Sequence, residues 1–448
     1  MKRILFTSIV LFLYCCSVFA QNNSKLWTIE ECIRYAIDNN IDVKRQHLQT
    51  RVKKNSLDLS KTKLLPTLSA SGSENISWGR SLDQTTYQFT DQKVISNSFS
   101  LSSGMTIFEG LRNYNSIKEN EYEFLASEQN LENTKENISL SVARCYLQIL
   151  LCKELVSATE KQFQITLQQI EKTRSFVEAG RLAHGDLLQI EAQAAQEEAL
   201  LITAKNQLYT WYLDLTQLLE LPTPEGFEVA TPAISIDVNA IMGETVENIF
   251  LIASGLRPSV KSSELRLKAS EYNLKAVRGM RFPSLSMGYS VSSIYSDIRR
   301  HPVTAGDYPF IDQLKDNRNR ALYFTLRVPI FNGWQTNKNI ANSKINIDNN
   351  QYALYAEKKT LYRNIQQAHA DASAALKRYE ASQKAVTSME ESFMYSEQKF
   401  DVGLITPVDY NVSKNSLLKA QSDLVQAKYE YIFKTKILDF YSGIPIKL

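Results

Sequence analysis

Long polar stretches of the chain carry apolar or small residues at alternating steps of three and four positions, which places them along one seam of a helix. The first seam lies between Asn113 and Glu178, a stretch without Pro or Gly. Its members are Val142, Cys145, Ile149, Cys152, Val156, Thr159, Phe163, Thr166 and Ile170. As one helix this stretch would be roughly 100 Å long. The seam predicts coiled-coil packing, with both cysteines as packed positions.

A second seam lies 223 positions further along the chain. Its members are Ile365, Ala368, Ala372, Ala375, Tyr379, Ser382, Val386, Met389 and Phe393. The segment IFEG at 107–110 also recurs as IFNG at 330–333, and LPTL at 65–68 recurs as FPSL at 282–285. These matches indicate a tandem duplication.

The duplication predicts three parts in the mature chain. The first structural repeat would cover residues 21–222, a linker residues 223–249, and the second repeat residues 250–448. Each repeat is predicted to contain a helix, two strands separated by a loop, a very long helix, a break and a final helix.

Four shorter runs alternate apolar and polar residues, as in a β-strand with one apolar face. The alternation is clear at 98–108, 283–293 and 322–331 and weaker at 66–78. Each run is about ten residues long, which is the length of a tilted membrane strand. An ordinary half-buried sheet would show the same alternation.

The loops favour the membrane interpretation of these strands. Residues 79–97 are polar, and residues 295–320 contain many charges and two prolines. Long polar loops between short alternating strands are typical of outer-membrane hairpins. Four strands cannot close a membrane barrel, and lipid does not tolerate open strand edges. The sequence therefore predicts an oligomer in which several chains share one barrel.

The first 20 residues have the pattern of a secretory signal peptide. Lys2 and Arg3 precede a short apolar run, and Val18 and Ala20 form a plausible cleavage site. A membrane anchor is one alternative, although the run is short for a bilayer span. Lipidation of Cys16 is another.

Composition and charge argue against several classes of function. The formal net charge of +3 falls to +1 without Lys2 and Arg3, which does not suit a nucleic-acid-binding protein. Three cysteines and four scattered histidines in the mature chain show no disulfide or metal-ligand spacing. Phosphate-binding loops and nucleophile motifs are absent from the sequence, so we expect no enzyme and no cofactor. A periplasmic or surface coiled-coil structural protein without a pore stays the alternative function, but it does not explain the duplicated strands.

Two turns interrupt the long helical stretches at equivalent places in the repeats. Gly180 and Gly403 suit the left-handed residue that ends a helix. In the second turn Thr406 is predicted to cap the next helix, with Pro407 as its first residue and Asp409 as its third. The first turn keeps Asp186 but has Ala183 at the cap position. We therefore expect the first turn to be less well fixed.

The whole pattern resembles the TolC family of outer-membrane efflux proteins. The resemblance covers almost the entire mature chain and begins with LWTIEECIRYAIDNNIDVK at 26–44. It continues through LLPTL, IFEG, IFNG, both Gly turns and DLLQIEAQ at 186–193.

The resemblance implies an α+β membrane duct built as a homotrimer. Twelve strands would form a barrel in the Gram-negative outer membrane, and long helical coiled coils would form a periplasmic tunnel. The linker would join a belt around that tunnel. The implied function is passive export of toxic small molecules or proteins, with a periplasmic adaptor and an inner-membrane pump of the RND, ABC or MFS class.

The resemblance also assigns roles to residues of the two turns. Asp186 and Asp409 match positions of the closed periplasmic aperture, where rings of carboxylates would favour cations. Their alternative role is local, as helix N-terminal carboxylates. Ile405, Phe400 and Val412 replace an arginine, a tyrosine and a carboxylate, which favours a more apolar constriction. Contacts with the adaptor are expected at the helix-turn tips, which are Gly180, Arg181, Gly403, Leu404, Thr406 and Pro407.

Overall fold

The computed structural model describes residues 26–82, 87–91, 93–232, 245–304 and 306–447. The predicted signal peptide, Cys16 and residues 233–244 of the predicted linker lie outside these residues. The first repeat contains β1 (Leu26–Trp27), α1 (Ile29–Asn39), α2 (Ile41–Thr62), β2 (Thr67–Ser77), β3 (Arg80–Leu82), β4 (Phe89–Asp91), β5 (Val94–Glu109), α3 (Arg112–Glu178) and α4 (His184–Leu218). The rest of the chain contains β6 (Glu228–Val229), α5 (Val246–Leu256), α6 (Pro258–Gly279), β7 (Ser284–Ser296), α7 (Phe310–Asp316), β8 (Asn319–Arg327), α8 (Gln335–Asp401) and α9 (Pro407–Tyr441).

Equivalent helices of the two repeats have equal lengths. Helices α3 and α8 each have 67 residues, and α4 and α9 each have 35. The pairs α1 and α5, with 11 residues each, and α2 and α6, with 22 each, repeat in the same way. The predicted very long helices are therefore present in both halves, while the repeat boundaries stay a prediction.

The described residues fall into two compact units that do not coincide with the repeats. The first unit combines the described residues within Met1–Leu48, Gln129–Lys261 and Ala356–Leu448. The second combines Gln49–Glu128 and Ser262–Tyr355. Each unit thus contains residues from both repeats.

The core of the first unit forms where the middle of α3 packs against α1 and the C-terminal parts of α4 and α9. Its buried members include Ile29, Cys32, Val142, Cys145, Tyr146, Ile149, Leu215, Leu219, Tyr429 and Ile432. The Tyr146 hydroxyl donates to the carbonyls of Trp27 (3.1 Å) and Ala230 (2.7 Å). These bonds attach the parallel pair β1–β6 to the helical core.

The seam predictions are confirmed over most of their length. Cys145 and Cys152 are buried in the first seam, and burial raises the pKa of the Cys145 thiol to about 11. In the second seam Ile365, Ala372 and Val386 are buried. The prediction is wrong at Met389, which is 40% exposed.

The second unit contains a four-stranded antiparallel sheet in the order β2-β5-β7-β8. All four predicted strands are present, and the weakest, β2, pairs with β5 over its full length. The fourth strand was predicted to reach residue 331 but ends at Arg327. Arg327 pairs with Ser284, the first residue of β7, so β8 has no partner in this sheet beyond that point, and Pro329 has no backbone N–H to continue a ladder. The polar loops contain the short hairpin β3–β4 and the helix α7.

Candidate functional site

One face of the four-stranded sheet is apolar and exposed. Cross-strand pairs place Leu101 beside Val291, and Met287 between Met105 and Phe324, on this face. Large side chains between 40% and 72% exposed on it are Leu68, Phe99, Leu101, Tyr289, Leu322, Phe324 and Leu326. In a half-buried sheet of a water-soluble protein these side chains would be covered by a core. The exposure instead matches the lipid-facing side of a membrane sheet.

The opposite face of the sheet is polar and lined by small residues. The hydroxyls of Ser69 and Ser102 are 2.9 Å apart, and those of Ser73 and Ser98 are 2.7 Å apart. The Tyr323 ring lies so close over Gly288 that a Cβ at this position would stand 2.3 Å from a ring atom. Such a face suits contact with water, so the sheet has the polarity of a barrel wall with an aqueous interior.

The two outer strands of the sheet have open edges. Strand β2 pairs only with β5 and β8 only with β7 in the described part of the chain. Unpaired edge N–H and C=O groups can recruit another chain, and in lipid each such group costs several kcal/mol. An exposed apolar face together with two open edges is not a complete structure in a membrane.

The two turns of the first unit end α3 and α8 with the same backbone geometry. Gly180 and Gly403 have φ values of +70° and +79°, as the predicted left-handed positions require. The N–H of Arg181 donates to the carbonyl of Phe176, and that of Leu404 to the carbonyl of Lys399, each at 2.8 Å. These bonds belong to the Schellman motif, so both helix ends are defined by local chemistry.

The helix starts after the two turns differ at the cap position. Thr406 Oγ1 accepts from the Asp409 N–H at 3.2 Å and donates to Asp409 Oδ2 at 2.8 Å. Ala183 has no such oxygen, and there Asp186 Oδ2 accepts from the Ala183 N–H at 3.2 Å. The predicted Thr406 cap and Pro407 start are confirmed. Both carboxylates therefore form hydrogen bonds within their own turns.

The other predicted turn residues divide into packed and exposed side chains. Phe400 stacks on Tyr410 with ring centroids 4.7 Å apart, and Ile405 is half-buried. The Arg181 guanidinium lies 5.2 Å from the Phe176 ring. Leu404 is 74% exposed. The roles of these residues in a gate or an adaptor contact stay predictions.

The second turn carries an exposed apolar surface that the sequence reasoning described only in part. Val402, Leu404, Val408 and Val412 are between 41% and 74% exposed, and we call them the apolar tip. Near it, Lys172 of α3 and Asp401 of α8 form an ion pair at 3.0 Å. Because both side chains of this pair are about half exposed, its contribution to stability is small.

A buried polar cluster in the first unit was not predicted. It consists of Gln162 and Thr166 on α3, Glu197 on α4 and Lys414 on α9, each at most 8% exposed. Lys414 Nζ donates to Thr166 Oγ1 at 2.8 Å, and the Thr166 hydroxyl donates to Glu197 Oε2. Gln162 Nε2 donates to Glu197 Oε1 at 3.2 Å.

The charges of this cluster compensate one another across three helices. Burial lowers the pKa of the Lys414 ammonium, and the Glu197 carboxylate opposes that shift. The sequence shows only that Thr166 lies on the seam. The lysine and the glutamate would be taken for solvent-facing residues of ordinary helices.

In the part of the chain that the structure describes, none of the helices combines the length and the apolar character needed to cross a bilayer.

Comparison with known proteins gives a consistent result. The family model described as "Outer membrane efflux protein" matches residues 32–220 and 252–442. The outer membrane efflux protein BepC of Brucella suis is 20% identical over 406 residues, covering 90% of this chain and 83% of BepC. Outer membrane protein TolC of Escherichia coli is 23% identical over 304 residues, covering 66% of this chain and 59% of TolC. The crystal structure of the outer membrane protein VceC from Vibrio cholerae superimposes with a TM-score of 0.77 at 16% identity, covering 93% and 96% of the two chains.

Proposed function

Because the chain belongs to the outer membrane efflux protein family, we propose that it is the exit duct of a tripartite efflux or type I secretion system. It would passively export small toxic molecules or proteins that an inner-membrane pump and a periplasmic adaptor deliver. The pump would belong to the RND, ABC or MFS class. The observation that carries this proposal is the sheet with an exposed apolar face, a serine-lined face and two open edges.

The geometry of the sheet supports a closed ring of copies, and membership of the family supports three copies in that ring. Four antiparallel strands alternate in direction, so β2 and β8 run in opposite directions. The β8 edge of one copy can therefore pair antiparallel with the β2 edge of the next copy. Three copies close a barrel of twelve strands without a free edge, with the apolar face toward lipid and the serine face toward water.

The long helices would continue the barrel as a tunnel in the periplasm. Only the strands would contact outer-membrane lipid. Their polar surfaces support this placement, because α3 and α8 are amphipathic only along narrow seams. Residues 223–249 would join the belt of the tunnel.

The turns would form the periplasmic entrance. We place the constriction beside the second turn, with Asp409 as the main carboxylate ring and Asp186, Phe400 and Ile405 near it. The exposed side chains of Val408 and Val412, on the same helix as Asp409, support an apolar constriction. The adaptor would contact the two turns through Arg181 and Leu404 and the adjoining backbone at Gly180, Gly403, Thr406 and Pro407.

The first experiment is the mass of the mature protein in detergent, measured by light scattering after extraction from outer membranes. Three chains per particle are expected, and the trimer should form ion-conducting channels in planar bilayers. A detergent-independent monomer or dimer would contradict the proposal, since its strands could not close a barrel.

The gate assignment has its own test. Asp409→Asn should weaken block of the channel by multivalent cations, because it removes the negative charge while an amide oxygen can still accept a hydrogen bond. Asp423→Asn is the matched control, because Asp423 is an exposed carboxylate about four turns further along the same helix, and it should keep normal block. Unchanged block and conductance in Asp409→Asn would reject a carboxylate ring at this position.

A further inference from the structure

The helix α7 lies on the apolar face of the sheet, at the end where the loops join the strands. The Phe310 ring packs edge-on against Tyr295 and Phe99, with centroids 4.9 Å and 6.1 Å apart. Ser293 Oγ donates to the carbonyl of Leu314 at 2.8 Å. Phe99 and Ser293 are cross-strand partners on the same face as Leu101 and Val291.

Backbone-directed hydrogen bonds hold α7 in this position. The buried side chain of Gln313 accepts from the Ser296 N–H at 3.1 Å and donates to the carbonyls of Ser296 (3.0 Å) and Tyr308 (2.9 Å). Asn317 Nδ2 donates to the Ile294 carbonyl at 2.6 Å. The helix is thus attached to β7 itself.

The position of α7 coincides with one boundary of the apolar band. From Leu285 to Ser293 the chain advances eight residues along β7, which is about 27 Å of strand. With a tilt of about 40° this corresponds to about 20 Å along the membrane normal, close to the height of a lipid-facing band. At the level of α7 the same face carries Asn97, which pairs with Tyr295, and Glu74, which is the cross-strand partner of Asn97. Helix α7 therefore lies at the level where the hydrocarbon ends.

An exposed apolar residue and an exposed basic residue lie on α7, and a second basic residue lies on the neighbouring strand β8. Ile311 is 56% exposed, and Lys315, one helical turn later, has a side chain that is 72% exposed. Arg320 of β8 pairs with Val291, so it emerges from the apolar face just below α7, and it is exposed.

The nearby acidic groups leave these cations available. Asp307 pairs with Arg300, and Asp316 accepts from the Tyr308 hydroxyl. Asp312 is the acidic group nearest to Lys315, at 3.9 Å, and both side chains are more than half exposed. Such an exposed pair is weak and can exchange for a stronger partner.

We propose that Ile311, Lys315 and Arg320 form a binding surface for the lipid A part of lipopolysaccharide. This inference rests on the proposed function, which places the loop end of the sheet at the outer leaflet. The acyl chains would contact Ile311 and the apolar rows below it. Lys315 and Arg320 would bind a lipid A phosphate at the boundary, where a long basic side chain can keep its charge in the polar layer.

The test is a titration of the purified protein in detergent with lipid A, followed by native mass spectrometry. The variant Lys315→Gln/Arg320→Gln should bind lipid A about tenfold more weakly, since each basic residue contributes to binding an anionic lipid surface. Arg320→Lys should retain binding. Arg327→Gln is the matched control, because Arg327 pairs with Ser284 on the polar face of the same strand. Enzymatically dephosphorylated lipid A should bind the wild-type protein as weakly as lipid A binds the double variant.

Several results would overturn the proposal. One is equal affinity of the double variant and the wild type for lipid A. Another is a wild-type protein that binds dephosphorylated lipid A as tightly as lipid A. Equal affinity of the wild type for phosphatidylglycerol and lipid A would identify a phospholipid as the occupant. Particles that double in mass would identify a second copy of the chain instead. If the double variant does not assemble, Lys315→Gln alone gives the same comparison at an exposed position. A wild-type protein that is absent from the outer membrane would instead refute the proposed function.

Discussion

Removing one charge from the buried polar cluster tests whether it determines how α9 packs against α3 and α4. The change is Lys414→Met, which keeps most of the side-chain volume and removes the ammonium. Glu197, 3% exposed, then stays buried with hydrogen-bond donors from Gln162, Gln193 and Thr166 but without a cation. A buried charge that loses its partner is strongly destabilising.

The size of the destabilisation follows from the distance between the two charges, which the Thr166 hydroxyl bridges. Two successive hydrogen bonds through Thr166 separate Lys414 Nζ from Glu197 Oε2 by about 5 Å. At an effective dielectric constant of about 20, two unit charges at this distance attract by about 3 kcal/mol. Lys414→Met and Glu197→Gln should each cost about 3 kcal/mol. The double variant should cost far less than the sum, because neither charge then stays unpaired.

Hydrogen–deuterium exchange of the mature protein in detergent measures this locally. Peptides around Thr166 and Lys414 should exchange about a hundredfold faster in each single variant, which corresponds to about 3 kcal/mol of local opening. Peptides from the sheet serve as the internal control. Additive effects in the double variant, or single variants that exchange like the wild type, would show that the cluster does not couple the three helices.

Three further predictions concern single positions. Ala183→Ser supplies the cap oxygen that Thr406 provides in the second turn. It should stabilise the helix start by up to about 1 kcal/mol and so slow hydrogen exchange at residues 184–187. Unchanged exchange there would contradict the cap assignment. Gly110→Ala places a Cβ 2.4 Å from the Gly279 carbonyl oxygen at a φ of +57°, so it should lower the thermal unfolding midpoint. Gly185→Ala is the control, because its Cβ enters open space at a helix start, and it should leave the midpoint unchanged or raise it. The Lys434 ammonium, 2.6 Å from Asp371, lowers the pKa of that carboxyl, so the pair stabilises above the ordinary carboxyl pKa and loses this contribution as pH falls through the lowered value. At pH 7, Asp371→Asn should therefore lower the unfolding midpoint by the equivalent of less than about 1 kcal/mol. At strongly acidic pH the variant should be indistinguishable from the wild type. An equal loss of stability at both pH values would exclude the ion pair as the cause.

Much of the fold was predictable because its signals are local. The seam through Val142 and Ile149 needs only the helical period, and the strand around Leu101 needs only the alternation of two. The turn at Gly403 and Thr406 has its chemistry within eleven consecutive residues, from Lys399 to Asp409. The predictions failed at two positions. The strand ends before Pro329, and Met389 of the seam is exposed because no other side chain of the described residues covers it.

The candidate site was predictable to a smaller extent. Sequence reasoning located both turns but assigned the carboxylates without knowing their partners. It could not show that Phe400 stacks on Tyr410, or that Val402 and Val408 are exposed beside Leu404. Whether an apolar residue is covered depends on elements far away in the chain, and periodicity carries no information about them.

The helices, the strands and the duplicated turns could be derived from the sequence alone, because each follows from side-chain periodicity or from backbone chemistry over a few residues. The pairing of β5 with β7, the position of α7 on the apolar face and the burial of Lys414 with Glu197 became visible only in the folded chain. These features join residues that are roughly 20 to more than 200 positions apart. Their free energy comes from burial and pairing that exist only after the segments meet, and no local pattern encodes them.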